Sequence, residues 1–417
     1  MGRNVSRRRV LAGIGAGSAI TLAGCLDGEA GNGNGNGNGG GASGDADAMV
    51  GVLAPVTGDL GDLGTPIRDA GILPGTQLED AGVDFEIDIR QEDTETDPEA
   101  GMTGAQSLVD AGYPAITGAA SSAVTIAVAE DVYFPNEVVG ISPASTSPDI
   151  TDMNGDFLLR TCPSDAWQGE AMAEIAYQEE GAETASTFFL NNDYGQGLAD
   201  TFVEAFDAEG GEIYEEVAFE SEQPSYSSEL ESALGDDPDL LMIVGYPDSG
   251  EQIFRDYYAD FDDGTTIMVP DGLQSNSLPG NVDNEMANVI GTAPSAAGPG
   301  IETFTDLFEA EYGSGPGVFN AQAYDATALH ILAQVAGGGQ GSSLSDQIRE
   351  IAAPGGEVVG PDNLPEALEM AAAGDEIEYQ GASGDVVFDE NGDLDAVTYD
   401  IFDFDMDGYN VTDEYVF

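Results

Sequence analysis

The side chains that could do chemistry lie in short polar loops that follow predicted strands. These loops supply hydroxyls, phenols and one carboxylate, namely those of Ser121, Ser122, Thr146, Tyr194, Tyr246 and Asp271. No cluster of arginines accompanies them. Such groups bind a small polar molecule by hydrogen bonds, with one negative charge available for a cation.

Several kinds of catalytic site are nearly excluded by composition. The chain has two cysteines and one histidine, too few for metal-thiolate or cysteine-histidine catalysis. If Cys25 is lipidated, Cys162 is the only free thiol and no intramolecular disulfide is possible. His330 lies in a run typical of a packed helix, which favours a structural histidine over a catalytic base.

The known cofactor motifs are also missing. The chain contains no lysine, so it cannot form a phosphate-binding loop of the lysine type. Glycines 58, 61 and 64 do not fit the dinucleotide fingerprint. We therefore expect no cofactor. A paired-carboxylate hydrolase stays open, because 79 acidic residues supply many pairs and none stands out.

One formal metal motif lies near the C-terminus. Asp403, Asp405, Asp407, Gly408 and Glu414 match the calcium-loop pattern. In so acidic a chain the match is more simply a turn between terminal strands, and calcium remains the alternative. A glycosylation triplet beginning at Asn410 overlaps it and is equally open.

The net charge restricts the partners. The chain has 417 residues, with 79 acidic and 9 basic side chains and a formal net charge of −70, and all nine basic residues are arginine. Binding to nucleic acid or anionic lipid as a main function is excluded, because it needs clustered cations. The many like charges of the folded chain repel one another, and this repulsion is screened at about 1 M salt, where the Debye length is about 3 Å. We therefore predict adaptation to concentrated salt, with an acidic protein of ordinary salt as the alternative.

The first residues are typical of an export signal. Residues 1–24 combine paired arginines with an apolar stretch too short to span a bilayer, and Cys25 follows in a lipobox-like context. This segment resembles the twin-arginine signal of lipoproteins; the alternative is an apolar helix that happens to precede a cysteine. Residues 25–47 are rich in Gly and Asn and predict a flexible tether. We expect a protein lipid-anchored at Cys25 to the outer face of the cytoplasmic membrane.

The body of the chain alternates short apolar runs with segments of helical spacing. This rhythm predicts an α/β fold with parallel sheets covered on both faces. Ligands of such sheets bind at the carboxyl ends of the strands, where the strand order reverses. The predicted strands are 49–56, 85–90, 115–117, 138–142, 185–190, 213–217 and 240–244, and the predicted helices are 98–110, 122–133, 197–208, 227–234 and 249–259.

An ordered set of segments carries a family resemblance. The segments are residues 118–122, 141–148, 159–161, 193–197 and 386–394. Together they are similar to the branched-chain amino acid-binding proteins of ABC transporters, which have the type I periplasmic binding protein fold. The resemblance spans roughly residues 50–410, and the ordered set is more specific than any one segment.

The resemblance implies roles for several residues. Ser122, with Ser121 beside it, and Thr146 would hold the α-carboxylate of an amino acid. The carbonyl of Ala144, the hydroxyl of Thr146 and the carboxylate of Asp271 would hold its ammonium group. Plain helix N-capping is the alternative for the serines, and a simple turn is the alternative for Asp271.

Other positions match the family less directly. Tyr194 and Tyr246 match tyrosines that line the cleft, with packed core or rim tyrosines as the alternative. Leu63 stands where many members of the resembled family carry an aromatic residue against the ligand side chain. The pocket for the ligand side chain is therefore not predicted. Residues 72–76 include Pro74 and are expected to interrupt the first helix.

The resemblance also implies the organisation and the function. Two Rossmann-like lobes, residues 48–163 with 293–393 and residues 164–292 with 394–417, would be joined by a three-segment hinge. An amino acid captured between them would pass to a membrane permease, and we expect a monomer without enzymatic activity. A sensor of the same fold and a secreted acidic hydrolase remain alternatives. The ligand could be an aliphatic amino acid, an amide or an aromatic acid.

Overall fold

The computed structural model describes residues 47–153 and 155–417. The signal peptide of residues 1–24, the lipidation site Cys25 and the tether up to residue 46 lie outside the described residues. None of the described helices combines the length and the apolar content needed to cross a bilayer.

The first sheet has five strands, all from the N-terminal part of the described chain. They are β1 (Ala48–Ala54), β2 (Ile87–Asp93), β3 (Ala115–Gly118), β4 (Val139–Ser142) and β5 (Leu158–Arg160). The strands pair in the order β2-β1-β3-β4-β5, and every pair is parallel. Strands β1, β3, β4 and β5 are almost entirely buried, as expected for a sheet covered on both faces, whereas the edge strand β2 has no buried residue.

The later strands form a second sheet and a small ribbon. They are β6 (Thr184–Leu190), β7 (Glu212–Phe219), β8 (Leu240–Val244), β9 (Thr266–Val269), β10 (Val289–Pro294), β11 (Glu357–Val359), β12 (Ile377–Tyr379), β13 (Thr398–Asp405) and β14 (Gly408–Val416). The second sheet has the order β14-β13-β10-β9-β8-β6-β7. It is parallel from β10 to β7, and β13 and β14 are added antiparallel. Strands β11 and β12 form a separate parallel pair.

The helices alternate with the strands. They are α1 (Gly61–Ala81), α2 (Pro98–Asp110), α3 (Ser122–Val128), α4 (Phe134–Asn136), α5 (Asp165–Glu174), α6 (Asp193–Glu209), α7 (Ser227–Ala233), α8 (Pro247–Asp260), α9 (Leu278–Val282), α10 (Ile301–Tyr312), α11 (Asn320–Ala333), α12 (Ser342–Ala352) and α13 (Leu364–Ala373). A π-helical turn, Ala129–Tyr133, joins α3 to α4. The predicted α/β class with parallel-dominated sheets is confirmed.

Each sheet has a point where the chain reverses its direction of winding. In the first sheet, β1 is followed by β2 on one side and β3 lies on the other; in the second, β6 lies between β7 and β8 in the same way. Loops at the carboxyl ends of strands beside such a point diverge and leave a crevice. The loops after β1, β3, β6 and β8 are therefore placed to form a binding site.

The first helix is continuous, so the predicted interruption at residues 72–76 is wrong. Helix α1 runs through Pro66 and Pro74 and ends at Gly82, which has a left-handed backbone. A proline inside a helix costs about 3 kcal/mol. The helix offsets this cost by burying an apolar stripe, because each fully buried Leu or Ile contributes about 1.5–3 kcal/mol. The stripe comprises Leu63, Ile67, Ala70, Leu73 and Leu78.

Helix α11 packs on the first sheet although it follows strands β6 to β10 of the second sheet in sequence. The hydroxyls of Thr117 and Thr327 lie 2.7 Å apart, and His330 Nε2 lies 3.3 Å from the carbonyl oxygen of Ile116. His330 is fully buried, and burial lowers its pKa to about 3, so it is neutral. The prediction of a packed, structural histidine is confirmed.

Candidate functional site

A cavity of about 290 Å³ lies between loops of the two sheets. Its lining combines apolar and polar side chains, namely Leu60, Leu63, Ile67, Ala120, Ser122, Ala144, Tyr194, Tyr246, Asp271, Gly272 and Phe319. Most of these residues follow strands β1, β3, β4, β6, β8 and β9. The cavity therefore occupies the crevice that the strand order predicts, and both sheets contribute to it.

Ser121 and Ser122 come directly after β3 and are buried. Ser122 is the first residue of α3, and its Oγ accepts a hydrogen bond of 3.3 Å from the backbone N–H of Ser147. Ser121 has the N-cap position, but among the described residues its hydroxyl makes no capping bond. It instead shares a hydrogen bond of 3.1 Å with the hydroxyl of Tyr246. The side-chain capping alternative for Ser121 is therefore not what the structure shows.

Thr146 is buried and is not among the residues that line the cavity. Its Oγ1 donates a hydrogen bond of 2.9 Å to Oδ2 of Asp165, and both side chains are fully or almost fully buried. The backbone N–H of Asp165 also donates to the carbonyl oxygen of Thr146, at 2.7 Å. Thr146 is thus coupled to a carboxylate that the sequence did not single out, while Ala144, two residues earlier, lines the cavity.

Arg160 holds the loop that carries Thr146. Its guanidinium donates to the carbonyl oxygens of Ser145, Thr146 and Ser147 at 3.3, 3.1 and 2.9 Å. It also forms a bidentate ion pair with Asp393 at 2.6 and 2.9 Å. Burial opposes the charge of Arg160, but the ion pair outweighs it, so the pKa is raised. Two segments of the family resemblance, 159–161 and 386–394, therefore meet at this pair.

Tyr194 and Tyr246 form one wall from the second sheet. Their rings are stacked, with centroids 5.4 Å apart and an interplanar angle of 2°. Tyr194 lies in the first turn of α6, which begins at Asp193 and not at residue 197 as predicted. The earlier start follows from Asn192, whose side chain accepts a hydrogen bond of 2.9 Å from the N–H of Gly195.

Asp271 follows β9 in a 3₁₀ turn, so it lies both in a turn and in the cavity lining. The Tyr194 hydroxyl lies 3.5 Å from its Oδ2, and the Oδ1 atom has no hydrogen-bond partner within the described chain. Burial raises the pKa of Asp271 to about 7, although the nearby polar groups of Gln168 and Tyr194 oppose the shift. A buried carboxyl group in the lining of a cavity is suited to bind a cation, because a positive charge stabilises its ionised form.

Asp165 is a buried acid beside the candidate site that the sequence did not single out. It is the first residue of α5, after the N-cap Ser164, and it is fully buried. Burial, followed by the negative charge of Asp271, raises its pKa well above the usual value. The only signal in the sequence was an aspartate at a helix start, which by itself indicates a helix N-terminus and nothing more.

The apolar part of the cavity is formed by Leu60, Leu63, Ile67 and Phe319. Leu63 is aliphatic, and Phe319 supplies an aromatic ring to the same cavity. Phe319 precedes α11 and has a left-handed backbone with φ of 64°. Its part in the cavity was not predictable, since it comes from a segment more than 250 residues away from Leu63.

Outside the cavity lining, two carboxylates near the start of α1 bind residues that follow strands of the second sheet. Asp59 Oδ1 accepts hydrogen bonds from the backbone N–H and the hydroxyl of Ser249. Asp62 Oδ2 accepts hydrogen bonds from the hydroxyls of Ser275 and Ser277, at 2.6 and 2.9 Å. We call these two contacts the Asp59 and Asp62 latches.

The C-terminal acidic motif forms a β-hairpin. Glu414 pairs with Asp400 across β13 and β14, away from the turn that holds Asp407. At the turn, Asp405 accepts a hydrogen bond of 2.7 Å from the N–H of Asp407. The structure does not bring Asp403, Asp405, Asp407 and Glu414 together, and the part of the chain described here contains no cluster of acids, histidines or cysteines suited to a metal. Asn410 lies exposed in β14.

Similar proteins share this architecture over most of the chain. The substrate-binding protein BasB of a chemotactic signal transduction system in Halobacterium salinarum is 28% identical over 356 residues, which cover 81% of this chain and 82% of BasB. The Leu/Ile/Val-binding protein BraC3 of Rhizobium johnstonii is 24% identical over 360 residues, covering 85% of this chain and 91% of BraC3.

A solved structure agrees with these relatives. The leucine-binding protein LivK of Thermotoga maritima is 25% identical and superposes with a TM-score of 0.75, covering 88% of this chain and 99% of LivK. The sequence profile of the periplasmic binding proteins matches residues 48–392. The chain therefore belongs to the periplasmic binding protein family.

Proposed function

We propose that this protein is an extracytoplasmic solute-binding protein that captures an amino acid and delivers it to an ABC permease. The observation that carries the proposal is the cavity lined both by Ser122, which follows a strand of the first sheet, and by Asp271, which follows a strand of the second. A hydroxyl-rich loop and a buried carboxylate suit the acid and amine ends of a zwitterion. Relatives named for Leu, Ile and Val support the ligand class.

The proposed mechanism needs two lobes that close on the ligand. Lobe 1 comprises residues 48–163 and 293–393, and lobe 2 comprises residues 164–292 and 394–417. Two observations support this division: all strands of the first sheet lie before residue 161, and helix α11 is hydrogen-bonded to that sheet. The chain then crosses between lobes three times, and the crossings form the hinge. A ligand favours closure only through contacts with both lobes.

The ligand is placed by the chemistry of the lining. Ser122, with Ser121 and Thr146 in support, receives the carboxylate. Asp271 and the carbonyl of Ala144 receive the ammonium group. The aliphatic side chain lies against the apolar part of the cavity, formed by Leu60, Leu63, Ile67 and Phe319.

Titration calorimetry in multimolar KCl tests the ligand class. Leucine, isoleucine and valine, together with amides and aromatic acids, are titrated into the purified protein. We expect saturable binding in the micromolar range for at least one aliphatic amino acid. No heat from any member of the panel would overturn the assignment.

Sensing is the second candidate function, because BasB is named for a chemotactic signal transduction system. The same ligand-bound form would then be recognised by a transducer instead of a permease. A deletion strain separates the two: loss of labelled leucine uptake with normal swimming responses supports transport, and the converse supports sensing.

Catalysis has no support among the relatives, whose names describe binding proteins. If the protein were a secreted hydrolase, a panel of labelled esters or glycosides would be turned over, and Asp271→Asn would abolish the turnover. We expect no turnover by the wild-type protein.

We propose an anchored, extracytoplasmic location, in line with the family. Cys25 would carry the lipid, and the tether up to residue 47 would hold the globular part away from the membrane. Cys25→Ala tests this, since the variant should appear in the medium or the soluble extracytoplasmic fraction. Retention of the variant in the membrane fraction would contradict a lipid anchor at Cys25.

A further inference from the structure

A second groove, which shares no lining residue with the cavity between the sheets, lies where the chain passes from one sheet to the other. The segments after β5, after β10 and before β13 all border it. It holds about 520 Å³ of space open to water, enough for a small organic molecule. The lining includes Trp167, Gln322, Asp385, Leu394, Asp395 and Phe417.

Two exposed aromatic rings line this groove. Trp167, in the first turn of α5, is 42% exposed, and Phe417 is 46% exposed. Their ring centroids lie 5.1 Å apart, with an interplanar angle of 68°. Phe417 also packs edge-to-face against Tyr399 and Tyr415, at centroid distances of 6.2 and 5.1 Å. These contacts hold Phe417 beside Trp167, and the faces of such rings attract an organic cation.

The polar side chains of the groove also favour a positively charged ligand. Asp385 and Asp395 are exposed, and neither carboxylate has a hydrogen bond or an ion pair with another described residue. No arginine is among the described residues that line the groove. Electrostatic attraction therefore favours a cation here and disfavours an anion.

A buried amide adds an unmet hydrogen bond. Gln322 is 2% exposed, and its Oε1 atom has no donor within residues 47–153 and 155–417. Buried acceptors are normally paired, so a ligand that brings an N–H donor to this amide would meet its need. The rings, the carboxylates and the amide thus select for the same chemistry, namely an apolar body with a protonated amine.

We propose that this groove is a second ligand site, which binds an organic ammonium ion with an aromatic or aliphatic body. The body lies against the rings of Trp167 and Phe417, where the positive charge gains a cation–π interaction. The carboxylates of Asp385 and Asp395 attract the ammonium group, and Gln322 accepts one of its N–H donors. A neutral molecule of the same shape makes only the contacts with the rings.

The fluorescence of Trp167 tests the site directly, because this residue is the only tryptophan of the chain. Benzylammonium, benzyl alcohol and benzoate share one ring and differ in the charge of the head group. Each is titrated into the purified protein in multimolar KCl near neutral pH. We expect a saturable change with benzylammonium, at least about tenfold weaker binding of benzyl alcohol and no saturable change with benzoate. No saturable change with benzylammonium, or equal or tighter binding of either other compound, would overturn the proposal.

A pair of double variants separates the groove from the general charge of the surface. Asp385→Asn combined with Asp395→Asn removes two charges from the groove. Asp80→Asn combined with Asp110→Asn removes two exposed acids from α1 and α2 and is the matched control. We expect benzylammonium to bind the groove variant about five- to tenfold more weakly than the control, which should bind like the wild-type protein. Equal affinities of the two variants, with circular dichroism showing both folded, would overturn the proposal.

Discussion

Asp59 Oδ1 accepts two hydrogen bonds from Ser249, one from its backbone N–H at 2.8 Å and one from its hydroxyl at 2.7 Å. Asp59 follows β1 of the first sheet, and Ser249 is the third residue of α8, which follows β8 of the second sheet. The Asp59 carboxylate, which follows a strand of the first sheet, thus accepts a hydrogen bond from the Ser249 N–H. This N–H lies in the first turn of α8, where it has no partner within the helix. Neither residue is part of the cavity lining.

The Asp59 latch should stabilise the closed form without touching the ligand. Asp59→Ala removes two hydrogen bonds to a carboxylate, each worth about 1.5–3 kcal/mol at most. Water replaces part of these hydrogen bonds in the open form, so only part of their free energy favours closure. We therefore expect Asp59→Ala to bind leucine about tenfold more weakly than the wild-type protein, as measured by calorimetry. Asp69→Ala, which changes an acid paired with Arg68 on the same helix α1, is the control. Equal affinities for the two variants would contradict the role of the latch.

Thr146 is expected to act through Asp165. Thr146→Val keeps the volume but removes the donor to Oδ2 of Asp165, and leaving a buried acceptor without its hydrogen bond costs about 1–3 kcal/mol. We expect leucine affinity to fall about 10- to 100-fold in calorimetry. Thr103→Val, an exposed threonine in α2, serves as the control. If Thr146→Val bound leucine like the wild-type protein, Thr146 would not belong to the site.

Asp271→Asn should abolish binding and stabilise the ligand-free protein at alkaline pH. The pKa of Asp271 is about 7 in the folded protein against an ordinary value of 3.8. Between these values the folded state holds more protons than the unfolded state, so the free energy of unfolding falls as pH rises. Asp271→Asn cannot ionise at this position, so the variant should not lose this part of the free energy of unfolding as the pH rises.

Thermal unfolding in multimolar KCl gives the measurement. At about pH 8 the free energy of unfolding of ligand-free Asp271→Asn should exceed that of the wild-type protein by about 1–3 kcal/mol. At about pH 4 the difference should disappear, since Asp271 is then protonated in the folded protein. A variant less stable than the wild-type protein at about pH 8 would show that the carboxylate is compensated when ligand-free.

Local signals predicted some elements accurately. The helix predicted at 98–110 has those bounds, because Asp97 caps it and Pro98 begins it. The strand at 240–244 also matches, since all five residues are buried and apolar. The start of α6 was missed although Asn192 signals it. The interruption predicted at Pro74 is absent, because the burial of the apolar face of α1 outweighs the cost of the proline.

The candidate site was predictable only in part. The loops after the strands identified Ser122, Tyr194, Tyr246 and Asp271, because parallel strands of this order open a crevice there. Contacts between distant segments were not predictable from periodicity. The hydrogen bond between Thr146 and Asp165 and the position of the Phe319 ring in the cavity depend on how the helices pack against the sheets. A local sequence pattern does not predict this packing.

Salt dependence follows from the charge of the chain. With 79 acids and 9 arginines, repulsion should destabilise the folded state in dilute buffer. At about 1 M salt or above this repulsion is largely screened. We expect cooperative folding by circular dichroism in multimolar KCl and loss of structure on dilution. Full folding in dilute buffer with unfolding in multimolar KCl would contradict salt adaptation.

A crystal structure with leucine bound is the most direct test that an amino acid bridges the two halves. The ammonium group should lie within hydrogen-bond distance of the Asp271 carboxylate, and the leucine carboxylate should lie within hydrogen-bond distance of Ser122. Leucine held at both ends by residues of one sheet alone, or bound outside this cavity, would contradict the account.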